Sequence, residues 1–180
     1  MKPWEIYPEI WKTESAWLAY VRGGIRRGLW KNYPPKLEFL KAKAELRDNL
    51  NPRSMKRFPK VKMWKCEQCE GWFTSKDIQC DHRAGHNSLR SVDEIGSYTE
   101  ALLLDCSFDA YAILCTGCHK IKSNADAKGI SFEESRIDKL VIEIIKSKKD
   151  REWLEERNIK PASNQKARRE QILEVLKNER

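Results

Sequence analysis

Two Cys-x2-Cys pairs, Cys66/Cys69 and Cys115/Cys118, constrain this chain more than any other feature. Each pair presents two thiolates from one tight turn, and four such sulfurs make a closed tetrahedral zinc site. A structural zinc ion is therefore the expected cofactor. The 45 residues between Cys69 and Cys115 exceed an ordinary zinc ribbon, so for the pairs to meet, the insertion is expected to form its own subdomain. A four-sulfur site has no open position. It leaves unexplained the dipeptide Asp81-His82 inside the insertion and His119, which follows the last cysteine. The chain's three histidines, His82, His86 and His119, all fall in this stretch, and histidine is a residue of metal and proton-transfer sites.

At 180 residues, with 40% hydrophobic and 34% charged side chains, the chain suits a small core carrying long solvated helices. Its net charge of +8 is uneven: residues 1–65 hold 16 Lys/Arg against 6 Asp/Glu, a balance of +10, and residues 66–180 sum to −2. A basic N-terminal third points to a polyanionic partner, with a plain solvated face as the alternative. The opening Met1-Lys-Pro-Trp-Glu-Ile-Tyr lacks the apolar core of a signal peptide, and no apolar run is long enough to cross a membrane. A cytoplasmic location without membrane contact is expected, with reduced thiols, which favours zinc over disulfides. Cys80 and Cys106, outside the pairs, read as buried small hydrophobes.

Residues 1–12, with Pro3, Pro8 and three aromatics, read as an extended arm. Thr13 is a candidate N-cap for a helix to about Lys31, with Trp17, Leu18, Val21, Ile25, Leu29 and Trp30 at helical spacing. Arg22, Arg26 and Arg27 lie largely off that face, and Gly23-Gly24 marks a close backbone approach or a kink. Pro34-Pro35 opens a second helix over roughly 35–50, followed by a basic linker that includes Lys56 and Arg57. Residues 62–83 read as a short hairpin whose second strand ends on Asp81-His82. Capping boxes at Ser91–Glu94 and Ser131–Glu134 start two further helices. Ala110–Leu114 is an apolar run into the second cysteine turn, and a helix near Cys118 puts His119 in its first turn. Two last helices, 151–157 and 163–178, are split by Pro161.

Neighbouring strand residues point to opposite sides, so Asp81 is expected to face a metal while His82 faces an attacking water. With Cys66/Cys69, Asp81-His82, Cys115/Cys118-His119 and the trailing Lys122-Ser123, residues 62–126 resemble the HNH endonucleases, in their four-cysteine zinc-bearing type. The resemblance implies an α+β, mostly helical protein with a small central ββα-metal module, flanked by N- and C-terminal helices. It implies His82 as general base, Asp81 and His119 as ligands of a catalytic divalent ion (Mg²⁺ or Mn²⁺), and DNA cleavage leaving 3′-hydroxyl and 5′-phosphate ends. The N-terminal part, with Ser15-Ala-Trp-Leu-Ala-Tyr-Val-Arg-Gly-Gly and the later Pro-Pro-Lys-Leu-Glu-Phe-Leu, also resembles the leader of bacteriophage HNH proteins, for which the location is the host cytoplasm. On this division residues 1–61 grip DNA, through Arg22, Arg26, Arg27, Lys56 and Arg57; residues 62–126 cut; residues 127–180 form a helical extension. One module has one scissile centre, so a monomer is expected to nick, and cutting both strands takes two copies, as in a homodimer, or two visits.

One departure stands out. The family's Asn falls where this chain has Ala110, and Ala cannot orient a catalytic histidine through a hydrogen bond. The alternatives are substitution by the backbone or Asp109, or a zinc-stabilised DNA-binding module with an impaired nuclease site. His86, one loop from Asp81, is a further candidate for a metal ligand or a substrate contact, and Asn87 and Asn124 are other candidates for the family's Asn, outside its register. A zinc-built protein adaptor would leave the basic third unexplained.

Overall fold

The computed structural model describes residues 1–84 and 89–179. It is an α+β, mainly helical chain with two small antiparallel sheets, divided into two compact units, residues 1–119 and 120–180.

In the first unit, residues 1–12 are not wholly extended: Pro3–Ile6 form a short helix, α1. Pro at the first helical position loses no hydrogen bond there, and Trp4 packs against Trp17 with ring centroids 5.5 Å apart and the planes tilted by 51°. Thr13 caps α2 (Glu14–Ile25), its hydroxyl accepting from Ala16 N at 3.2 Å. The helix continues as one π-helical stretch, Arg26–Trp30. Gly23 makes room for a side chain rather than a backbone: a Cβ there would lie 3.0 Å from the Arg27 guanidinium. Helix α3 (Pro34–Ala42) stops well short of residue 50, and Glu45–Asp48 is a strand, β1. Ala, Glu, Leu and Arg favour helix locally, but pairing with β2 (Lys60–Lys65) wins, in the register Glu45↔Met63 to Asp48↔Lys60. β3 (Trp72–Phe73) completes this three-stranded sheet.

β4 (Ile78–His82) does not close a hairpin with the preceding strand. Its partner is β5 (Tyr111–Cys115), from Ile78↔Cys115 to His82↔Tyr111. Helix α5 (Thr116–Lys128) follows β5 directly. The insertion is not a separate subdomain. The Ser91 capping box opens a short 3-10 turn and then α4 (Ile95–Leu103), whose Tyr98 and Leu102 pack with Leu89 on Leu18 of α2. A second cluster joins Phe39 of α3 to Ile78, Tyr111 and Ile113 of the β4–β5 ribbon. Trp30 touches both clusters. Lys36, buried to 8% exposure, donates to the carbonyls of Trp30 (2.6 Å) and Lys31 (2.8 Å). It closes the end of the π-helical stretch with a positive charge, as a helix C-terminus favours.

In the second unit, α6 (Phe132–Lys146) starts at the Ser131 capping box, α7 (Asp150–Glu155) follows, and α8 (Gln165–Asn178) comes after Pro161. Ile137, Val141, Leu154 and Ile172 form their core. No helix among the described residues is long and apolar enough to cross a membrane.

Candidate functional site

The hairpin turn between β2 and β3 carries Cys66 and Cys69; the junction of β5 with α5 carries Cys115 and Cys118. Their four sulfurs lie within 4.8 Å of one another. Cys69 and Cys115 stand at 3.9 Å, close to the ~3.8 Å edge of a tetrahedron with ~2.3 Å zinc–sulfur bonds. The first turn is built by local rules. Cys66 N donates to Gly71 O at 2.8 Å, and Glu70 takes a left-handed φ of 58°. A Cβ on Gly71 would meet the Phe73 ring at 2.8 Å.

Burial opposes ionisation of the Cys66 thiol, but the amides of Cys69, Cys115 and Gln68 outweigh it and bring the thiol down to about 7. Burial and its sulfur neighbours push Cys118 up. Four crowded thiols whose protons compete in this way are a donor set suited to a thiophilic cation, which replaces those protons. The residues fit a structural zinc ion, which would crosslink two turns 46 residues apart in sequence. Cys80 is half-buried and packs on the ribbon cluster, where burial raises its thiol to about 12. Cys106 is exposed, contrary to its reading as a buried hydrophobe; the turn after α4 leaves it at the surface.

Asp81 and His82 do leave β4 on opposite sides. Asp81 Oδ2 lies 3.9 Å from His119 Nε2, and these side chains are 17% and 30% exposed respectively. His119 stands in the first turn of α5. His82 is 3% exposed, its ring 4.6 Å from that of Trp30 and 5.1 Å from that of Tyr111. It meets aromatic rings in this conformation, not open water. Burial pushes the Tyr111 phenol up, and its hydroxyl has no hydrogen-bond partner among the described residues. His86 and Asn87 lie outside the described residues.

No family model, curated protein or solved structure matches this chain.

The Ala110 carbonyl accepts from Arg83 N at 2.8 Å. Asp109 contributes its carbonyl too, to Arg83 Nε at 2.9 Å. Arg83 also pairs with Glu67 at 2.6 Å. Glu67, inside the first cysteine turn, grips β5 with backbone and side chain alike: its N donates to Ile113 O at 2.9 Å, and its Oε1 accepts from Ile113 N at 3.1 Å. Glu67, Arg83 and Tyr111 have no site role in the sequence pattern, and Trp30 stands there only as one apolar position of a helix. The charge pattern Glu67/Arg83 was the only available signal, and it is meaningless without the β4–β5 register.

Of the basic candidates, Arg26, Arg27, Lys56 and Arg57 are exposed and Arg22 is half-buried. Arg26 Nε donates to Tyr98 Oη at 3.1 Å, and Arg57 lies over the Phe58 ring at 5.2 Å.

Proposed function

We propose that this chain is a metal-dependent DNA endonuclease of the HNH type, stabilised by zinc on its four cysteines. The observation that carries the reading is the 3.9 Å approach of Asp81 to His119, where a two-stranded ribbon runs into a helix beside the sulfur cluster. One carboxylate oxygen and one imidazole nitrogen, both partly exposed, suit a divalent cation such as Mg²⁺ or Mn²⁺ that keeps several waters. When bound, such an ion supplies Lewis-acid stabilisation of charge on the leaving oxygen. Asp81 and His119 hold its position. In this reading His82, next along β4, takes the proton of the attacking water. The +10 balance of residues 1–65 supports a polyanionic substrate.

A second reading is a zinc-stabilised DNA-binding module with an impaired nuclease site. Ala110 and the burial of His82 at 3% exposure favour it. Nicking of supercoiled plasmid with Mg²⁺ or Mn²⁺ decides between the two, comparing the chain as it stands with His82→Ala and Ala110→Asn. Nicking that His82→Ala abolishes is the expected result. Activity only in Ala110→Asn means a site disabled at one position. DNA binding with no cleavage by any of them establishes the binding module.

A further inference from the structure

The β1–β2 ribbon ends in residues 49–59, an ordered loop built around one buried side chain. Asn49, 7% exposed, donates from Nδ2 to Ser54 Oγ (3.0 Å) and Phe58 O (2.8 Å) and accepts from Asn51 N at 3.0 Å. Two consecutive turns complete it. Asn51 O accepts from Ser54 N and Met55 N, and Ser54 O accepts from Arg57 N and Phe58 N. A loop so thoroughly bonded would be expected to hide its apolar residues, yet Leu50 is 84% exposed, Met55 46% and Phe58 52%. Between them stand Arg53, Lys56 and Arg57, all exposed, and the loop contains no acidic residue. Along the strands, exposed Arg47 and Lys60 pair with Glu45 and Asp48, each at 3.5 Å, while exposed Lys62 adds positive charge on β2.

We propose that this loop is a wedge that enters the minor groove of duplex DNA, an inference that rests on the DNA partner proposed above. Proteins that kink DNA from the minor groove set Phe, Leu or Met between base steps and hold the flanking phosphates with Arg and Lys. Met55 and Phe58 are both exposed on this one short loop, near enough in sequence to act at one base step. Order within the loop lowers the entropy lost on docking. The loop's charge complements a polyanion, and its apolar content is enough for one step of a duplex. An anionic membrane, the other surface that such a tip suits, needs far more buried apolar area for stable attachment.

The test uses the full zinc-loaded chain, without added Mg²⁺ or Mn²⁺, on an end-labelled duplex. Anisotropy at several salt concentrations reads affinity, and end-to-end energy transfer reads bending. Arg53→Ala/Lys56→Ala/Arg57→Ala is expected to weaken binding about tenfold or more and to lower the salt slope by about 2 to 3. Met55→Ser/Phe58→Ser is expected to keep that slope and abolish the bend. Lys166→Ala/Lys177→Ala, on exposed positions of the second unit, is expected to change neither. Thermal unfolding and zinc content of each variant confirm an intact fold. Loop variants that bind and bend like the unaltered chain overturn the wedge and leave the nuclease reading standing. So does equal weakening by the Lys166/Lys177 variant, which would mean diffuse charge. Loop-dependent binding to phosphatidylserine vesicles, with DNA bending unaffected, overturns it in favour of a membrane. Failure of the unaltered chain to bind DNA at all removes the DNA partner itself, and the wedge with it.

Discussion

The core clusters of residues 1–119 mix rings with aliphatic side chains, Phe39, Tyr98 and Tyr111 beside Leu18, Leu89, Leu102, Ile78 and Ile113, with Trp30 touching both clusters and four sulfurs gathered nearby. In residues 120–180 the core is aliphatic, Ile137, Val141, Leu154 and Ile172 on three capped or paired helices. The surfaces differ as sharply. Of the large hydrophobic side chains left exposed among the described residues, Leu140 is the only one in the second unit. The second unit buries what it has, by helix periodicity and polar closure. The first leaves apolar surface open and gathers four thiols in one cluster that could hold a metal ion.

Metal removal is the largest way to break that comparison. Zinc sites of this kind contribute ~10–16 kcal/mol to folding. Chelation, or Cys115→Ser, is expected to abolish cooperative unfolding of residues 1–119 while α6 and α8 keep their amide protection. Segment-resolved hydrogen exchange beside a zinc assay measures both; a first unit indifferent to zinc would sink the contrast. Next comes the second unit's own weak point. Arg168, 10% exposed at its side chain, pairs with Asp150 at 2.6 Å and donates to the carbonyls of Ala162 and Ser163. Arg168→Ala leaves a buried carboxylate behind and is expected to cost ~3–5 kcal/mol, read as lost exchange protection in α6–α8 with zinc content unchanged.

A smaller effect sharpens the first unit. Gly71→Ala drives a methyl into Phe73 and is expected to cost ~1–3 kcal/mol, seen as weaker zinc retention against a competing chelator. Phe73→Leu in the same chain is expected to restore it. The smallest is pH-dependent. Burial opposes ionisation of Asp138, yet Lys128, Asn124 and Arg169 hold its carboxyl below the usual range. A carboxyl lowered in the folded state adds stability that is present above its ordinary value, ~3.9, and lost as pH falls through its folded value. Acid titration of thermal unfolding is expected to show this loss in the second unit, and Asp138→Asn to flatten it.

What was legible in the sequence follows the same divide. The capping boxes at Ser91 and Ser131, the break at Pro34-Pro35 and the helix split at Pro161 are local signals, and the elements they announce are present. The cysteine spacing announced its own cluster. Strand β1 was not legible, because Glu45–Asp48 has helical preferences and is extended only by partners a dozen or more residues away. Strand alternation separated Asp81 from His82. It gave no hint that Trp30, arriving from another helix, covers the histidine. Contacts fixed by register or by tertiary packing have no trace in local spacing.

The grip of Glu67 on Ile113 bears on more than local geometry. β5 is buried along its whole length, Tyr-Ala-Ile-Leu-Cys, with β4 on one edge and the first cysteine turn on the other. An uncovered apolar edge of this composition is a template for intermolecular strand addition. The cysteine turn is therefore also a guard on the ribbon's open side. A chain that lost its metal would become self-associating before it became fully unfolded, and its first aggregates would be seeded at residues 111–115.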